Sequence, residues 1–178
     1  LRLWEATAVR LIVFGPVSGQ AGTLALLRQA LKDPLLPVTW VQGMPCDGRP
    51  IAGMQLHAIA GAKVKTLRDG GRAVGRVWRD AVAKHCVLGG LGPDGATSAR
   101  PQQARGTFER LQSALALAGM TLKDVARTWL FLDDILSWYG DFNRVRTKFY
   151  SERGLLGRSP ASTAVGVPNP QRQALKAH

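Results

Sequence analysis

From Ala73 to Val167 the apolar residues change period in a fixed order, and that order restricts the fold more than any single motif. Ala73–Asp80 and His85–Leu91 read as extended, the second nearly continuous in apolar character (CVLGGL), as in a strand covered on both faces. A helix follows from Pro101, with Ala104, Phe108, Leu111, Leu115 and Ala118 recurring at spacings of three and four; Pro suits its first turn and Gly119 ends it. The capping-box turn Thr121–Asp124 leads into a strand over Val125–Leu132. Asp133-Asp134 opens a second helix with an inward stripe of Ile135, Trp138, Phe142, Val145 and Phe149. Ala161–Val167 is again extended, closed by Pro168-Asn169-Pro170. The order β-β-α-β-α-β predicts an α/β (α+β sandwich) domain with both helices packed on one face of a sheet.

Upstream, residues 7–14 (TAVRLIVF) predict a buried strand, Thr23–Leu31 a helix stopped by Asp33-Pro34, and Pro37–Val41 a second strand. Gln42–Gly53 holds three Gly and two Pro, which marks a loop and the expected domain boundary. The expectation is a β-α-β extension over 1–50 and a main domain over 51–178, with its core at 72–168. Residues 54–60 predict a short strand, and Asp69-Gly70-Gly71 is a turn joining two extended stretches.

Charge narrows the function classes. The net charge is +12, from 24 Lys+Arg against 12 Asp+Glu, which would suit phosphate or acidic ligands. The arginines are scattered, however, with no basic run and no basic-aromatic alternation, so nucleic acid is not the expected partner. Two cysteines, Cys46 and Cys86, make no disulfide framework and are expected as reduced thiols. His57, His85 and His178 show no ligand spacing with them, so no metal site is expected. No apolar run is long enough to span a bilayer and the first residues lack a signal-peptide pattern, which makes a cytoplasmic protein the expectation.

Four stretches carry a family resemblance: CVLGGLGPD (86–94), QARGTFERLQSALALAGMTLKDVARTWLFLDD (103–134), FNRVRTKFY (142–150) and SPASTAVGV (159–167). In this order they resemble the Rid family, also called YjgF-like or endoribonuclease L-PSP-like, and most of all the first unit of larger two-unit Rid proteins. The resemblance implies a chorismate-mutase-like sheet with two helices on one face, a homotrimer, and small-molecule pockets in the clefts between subunits. It also implies an enzyme needing no cofactor, which hydrolyses enamines or imines to the keto acid and ammonia. A guanidinium there clamps the substrate carboxylate with two parallel hydrogen bonds.

The sequence departs from this pattern where the chemistry is concentrated. The family's Pro-Ala-Arg strand reads Pro160-Ala161-Ser162-Thr163, and serine supplies no fixed positive charge. The acidic closing strand would follow Pro170, where QRQALKAH has no Asp or Glu, so that strand is expected to be incomplete or absent. The candidate ligand-binding residues are Gly89, Gly90, Ser162, Thr163 and Cys86, with Arg127 as the candidate replacement cation. Each has a plain structural alternative: a bulge at the glycines, strand-end hydroxyls at 162 and 163, a solvated side chain at 127. Asn143 is expected to bond a nearby loop, and Ser98–Arg100 to offer a weak anion site at a helix start. Three readings follow: a divergent Rid-type hydrolase or deaminase, a non-catalytic small-molecule-binding or assembly scaffold, and an RNA-binding or ribonuclease-like protein.

Overall fold

The computed structural model describes residues 5–46, 48–49, 51–93 and 99–178. It divides into two compact units, Leu1–Gly90 and Leu91–His178.

In the first unit, β1 (Thr7–Gly15) is the centre of a three-stranded sheet. It pairs in parallel with β2 (Val38–Gln42), reached through helix α1 (Gln20–Leu31), and antiparallel with β3 (Gly53–Ile59). Leu24, Leu27 and Leu31 of α1 pack on Ala8, Leu11, Val13 and Trp40, so the spacing of the leucines selects the helix face that meets the sheet. Residues 53–59, expected with the second domain, therefore pair with β1, and the compact first unit runs past residue 50 to Gly90. A second sheet has the order β4 (Lys65–Asp69), β5 (Arg72–Arg79), β6 (Lys84–Leu88), all antiparallel. Gly70 and Gly71 both take positive φ in the β4–β5 turn, as a tight hairpin requires. Arg76 of β5 is buried; its Nη2 reaches Asp33 Oδ2 at 2.6 Å and its Nη1 donates to Thr66 Oγ1 at 2.7 Å.

The second unit is built around β7 (Arg127–Leu132), with β8 (Ala161–Gly166) parallel on one side and β9 (Leu175–Ala177) antiparallel on the other. The closing strand expected to be missing is thus present, three residues long, and Leu91 bridges to Ala177 on its outer edge. Helices α2 (Arg100–Leu117) and α3 (Ile135–Ser151) pack on each other, α2 against β9 and α3 against β8. The stripe read from the sequence is the buried one: Ala104, Phe108 and Leu111 of α2 face Trp138, Phe142 and Phe149 of α3, with the Phe108 and Phe149 rings 5.3 Å apart. The capping box forms as expected, with Thr121 and Asp124 exchanging side-chain and backbone bonds.

Candidate functional site

Side chains alternate along a strand, so the register of β7 decides which candidates meet. Leu132 lies opposite Gly166, where an added Cβ would touch Ile135 of α3, so the even positions of β7 face the helices. Leu130 and Leu132 are accordingly fully buried. Ser162 belongs to that face, its hydroxyl 3.2 Å from the hydroxyl of Thr128. Arg127, Trp129 and Thr163 point the other way. Arg127 Nη2 donates to Thr163 Oγ1 at 2.8 Å, and its guanidinium carbon stands 4.8 Å from the Trp129 ring centre. Ser162 and Thr163, neighbours in sequence, therefore do not share a face, and only Thr163 joins Arg127.

His178 completes this helix-free face. Its N–H donates to the Trp129 carbonyl at 2.9 Å and its carbonyl accepts from the Trp129 N–H at 2.8 Å. This mutual pair sets the two residues directly opposite, with side chains on one face. Lys176 stands opposite Phe131 on the same side. The sequence marks neither residue as a partner of Arg127, because only the pairing of β9 with β7 brings them together. The arrangement offers a guanidinium held by a hydroxyl and an indole face, on the side of the sheet that the buried His178 shares. Such a guanidinium suits a planar carboxylate.

The candidates of the first unit are placed differently. Gly89 N–H donates to the Val74 carbonyl at 3.0 Å, which extends the β5–β6 ladder. Gly90 N–H donates to Thr39 Oγ1 at 2.9 Å, and an added Cβ there would lie 2.4 Å from the Val38 carbonyl oxygen. The close approach signalled by the glycine pair is that of the β2 backbone. Cys86 is half-buried on β6, and burial pushes its thiol up to about 11, so it stays protonated at neutral pH. At the β5–β6 turn, Asp80 accepts from the Val82 and Ala83 N–H groups and contacts His85 at 2.6 Å, while the His85 ring stacks on Trp78. Those bonds, led by the two backbone N–H groups, hold the Asp80 carboxyl down at about 2.

Two smaller expectations concern α2 and α3. Asn143 keeps its Oδ1 buried without a hydrogen-bond partner, in place of the expected bond to a loop. Ser98 lies outside the described residues, and Arg100 at the start of α2 is bonded to Asp134 and Ser137. Among the described residues no group of His, Cys, Asp and Glu is placed to hold a metal, and no helix is long and apolar enough to cross a membrane.

The fold is that of known structures. The chain is similar to the YjgF gene product of E. coli (19% identity, 63% of this chain and 87% of that one, TM-score 0.51). It is also similar to yeast Mmf1 (16%, 65% and 94%, TM-score 0.52) and to NMB1025 of Neisseria meningitidis, a YjgF-family member (15%, 65% and 90%, TM-score 0.51). No curated protein matches the sequence. Among the described residues, the mixed α+β arrangement of three small sheets and three helices matches the fold of these structures. The sequence model of the Endoribonuclease L-PSP family matches residues 89–175, which include most of the second unit. Over that stretch the chain is similar to the endoribonuclease L-PSP family, and its fold is that of the YjgF structures.

Proposed function

We propose that the second unit binds a small carboxylate on the helix-free face of β7 and β8 and hydrolyses a conjugated imine or enamine there. The observation that carries this reading is the Arg127 guanidinium, held by Thr163 at 2.8 Å over the Trp129 ring. A positioned guanidinium supplies a cation on this face, whereas Ser162 faces the helices and carries none. In the reaction an enamine tautomerises to the imine, water adds to the imine carbon, and the carbinolamine expels ammonia to leave the keto acid. Arg127 holds the carboxylate, and His178 takes a proton from the attacking water and returns it to the leaving nitrogen. Neither β7, β8 nor β9 carries Asp or Glu, which leaves His178 as the imidazole on this face. No cofactor enters these steps.

The same reading includes a homotrimer in cytoplasm, in which the helix-free faces of three copies meet and Arg127 lines a cleft between them. A scaffold that binds without turnover is the second reading. It is favoured by Gly90, whose N–H is already taken by Thr39 rather than offered to a ligand. The ribonuclease reading draws on the name of the matching family and on the net charge of +12.

The test is calorimetric titration of the stable keto-acid product pyruvate into the protein, with light scattering on the same sample to read its mass. Pyruvate should bind, Arg127→Ala should weaken binding by about 10–100-fold, the value of a charge-assisted pair, and His178→Ala should leave it within about 3-fold. Equal affinity of the wild type and Arg127→Ala would remove Arg127 from the site.

A further inference from the structure

The face of α3 turned away from its aromatic stripe is concave. A groove of about 570 Å³ runs along it from Gly140 to Leu156, past the end of the helix, and its size suits a small molecule. Helical spacing sorts the lining into two rows, Asn143, Thr147 and Ser151 in one and Gly140, Arg144, Lys148 and Glu152 in the other. None of these belongs to the buried stripe of Trp138, Phe142 and Phe149.

Charge is left over in the groove. Glu152 is held through both carboxylate oxygens by Arg105, at 3.2 and 2.8 Å, and by Arg153 at 3.3 Å, so its charge is already matched. Arg144 pairs with Asp141 and arches back over Gly140, where an added Cβ would lie 3.8 Å from its Nη1. A guanidinium carries five N–H donors, more than one carboxylate takes. Among the described residues Lys148 makes no ion pair. Between these two cations stands the exposed hydroxyl of Thr147. One turn away, Asn143 keeps its Oδ1 buried with no donor, a cost that a ligand hydroxyl would remove.

We propose that this groove binds a small phosphorylated polyol, with its phosphate at Thr147 between Arg144 and Lys148 and a hydroxyl donating to Asn143 Oδ1. The donors decide for phosphate: a hydroxyl, an ammonium and a guanidinium converge from separate positions, which suits a tetrahedral anion better than a planar carboxylate. The Cβ atoms of Asn143 and Thr147 are about 5–6 Å apart, as one helical turn sets them, which is near the reach from a phosphate to a hydroxyl two or three carbons away. The negative end of the helix dipole opposes an anion only over the last turn, and Thr147 lies before it. The groove is on the helix side of the second unit, away from the face of Arg127, and stands independently of the activity proposed there.

The test is a ¹⁵N NMR titration of the full chain with ribose 5-phosphate, and separately with inorganic phosphate, glycerate and ribose. Ribose 5-phosphate should shift and saturate the Thr147 and Lys148 amides and the Asn143 side-chain amide. Inorganic phosphate should do so about 3–10-fold more weakly, and glycerate and ribose should leave these signals in place. Lys148→Met and Thr147→Val, both at exposed positions, should each weaken ribose 5-phosphate, the first by about 10-fold or more. Asn143→Leu should lower its affinity to that of inorganic phosphate and leave the latter unchanged. Unmoved signals, equal saturation by glycerate, or unchanged affinity in both Lys148→Met and Thr147→Val would overturn the site. Equal binding of inorganic phosphate and ribose 5-phosphate would overturn its assignment to a polyol, and shifts confined to Trp129 and His178 would place the anion on the Arg127 face instead.

Discussion

A methyl group on Gly90 would meet the Val38 carbonyl oxygen at 2.4 Å, and the residue sits at φ +66°, where only glycine is unstrained. Gly90→Ala should therefore cost about 1–3 kcal/mol from backbone strain alone, with the clash added. Urea unfolding measures it, and a loss below about 0.5 kcal/mol would mean that the β2 contact is not kept in solution. The sequence marks this glycine as a point of close approach. It does not reveal that the approaching backbone is that of β2, because Thr39, which accepts from the Gly90 N–H, is 51 positions away and its hydroxyl has no local signature. Arg76 was equally hidden: a buried arginine looks like a surface one until Asp33 is placed beside it. Ser162 and Thr163 show the opposite case, since strand alternation already separates them once the strand is accepted.

At the scale of elements, local periodicity was enough to locate α2, α3 and β7 to within about two residues, the usual spread of helix and strand ends. The reason is that their apolar residues recur at the element's own period over most of its length, with Gln103, Thr107 and Thr128 the buried polar exceptions. Phe108 is the centre of the stripe of α2, 1% exposed and ringed by Phe142, Phe149 and Tyr150. Phe108→Ala should destabilise the second unit by about 3–5 kcal/mol, the range for a buried phenylalanine, as read by its thermal unfolding transition. A shift equivalent to less than about 1 kcal/mol would contradict this packing. The closing strand β9 escaped the sequence reading because three residues are too few to show a period, and because only the backbone of β7 makes them a strand. The pairing of β3 with β1 escaped it too, since register depends on partners that are distant in sequence.

For the whole molecule, the β-β-α-β-α-β order and the four resembling stretches led to the correct fold, while the recurrence of one β-α-β-β motif in both units, as β2-β1-β3 and β8-β7-β9, needed the strand pairings to be seen. The candidate site was legible in its parts only. Arg127 and Thr163 were identifiable from the sequence; their union, and the addition of Trp129 and His178, required the register of three strands. The activity proposed for this assembled face is imine hydrolysis. The direct measurement is the release of ammonia and keto acid from freshly generated 2-aminoacrylate, against buffer alone and against Arg127→Ala and His178→Ala. Turnover by the wild type is expected, with a fall in kcat/KM of about 10–100-fold for Arg127→Ala and a loss of about 100–10,000-fold in kcat with little change in KM for His178→Ala. Rates indistinguishable from buffer, or equal rates for the wild type and both variants, would contradict it.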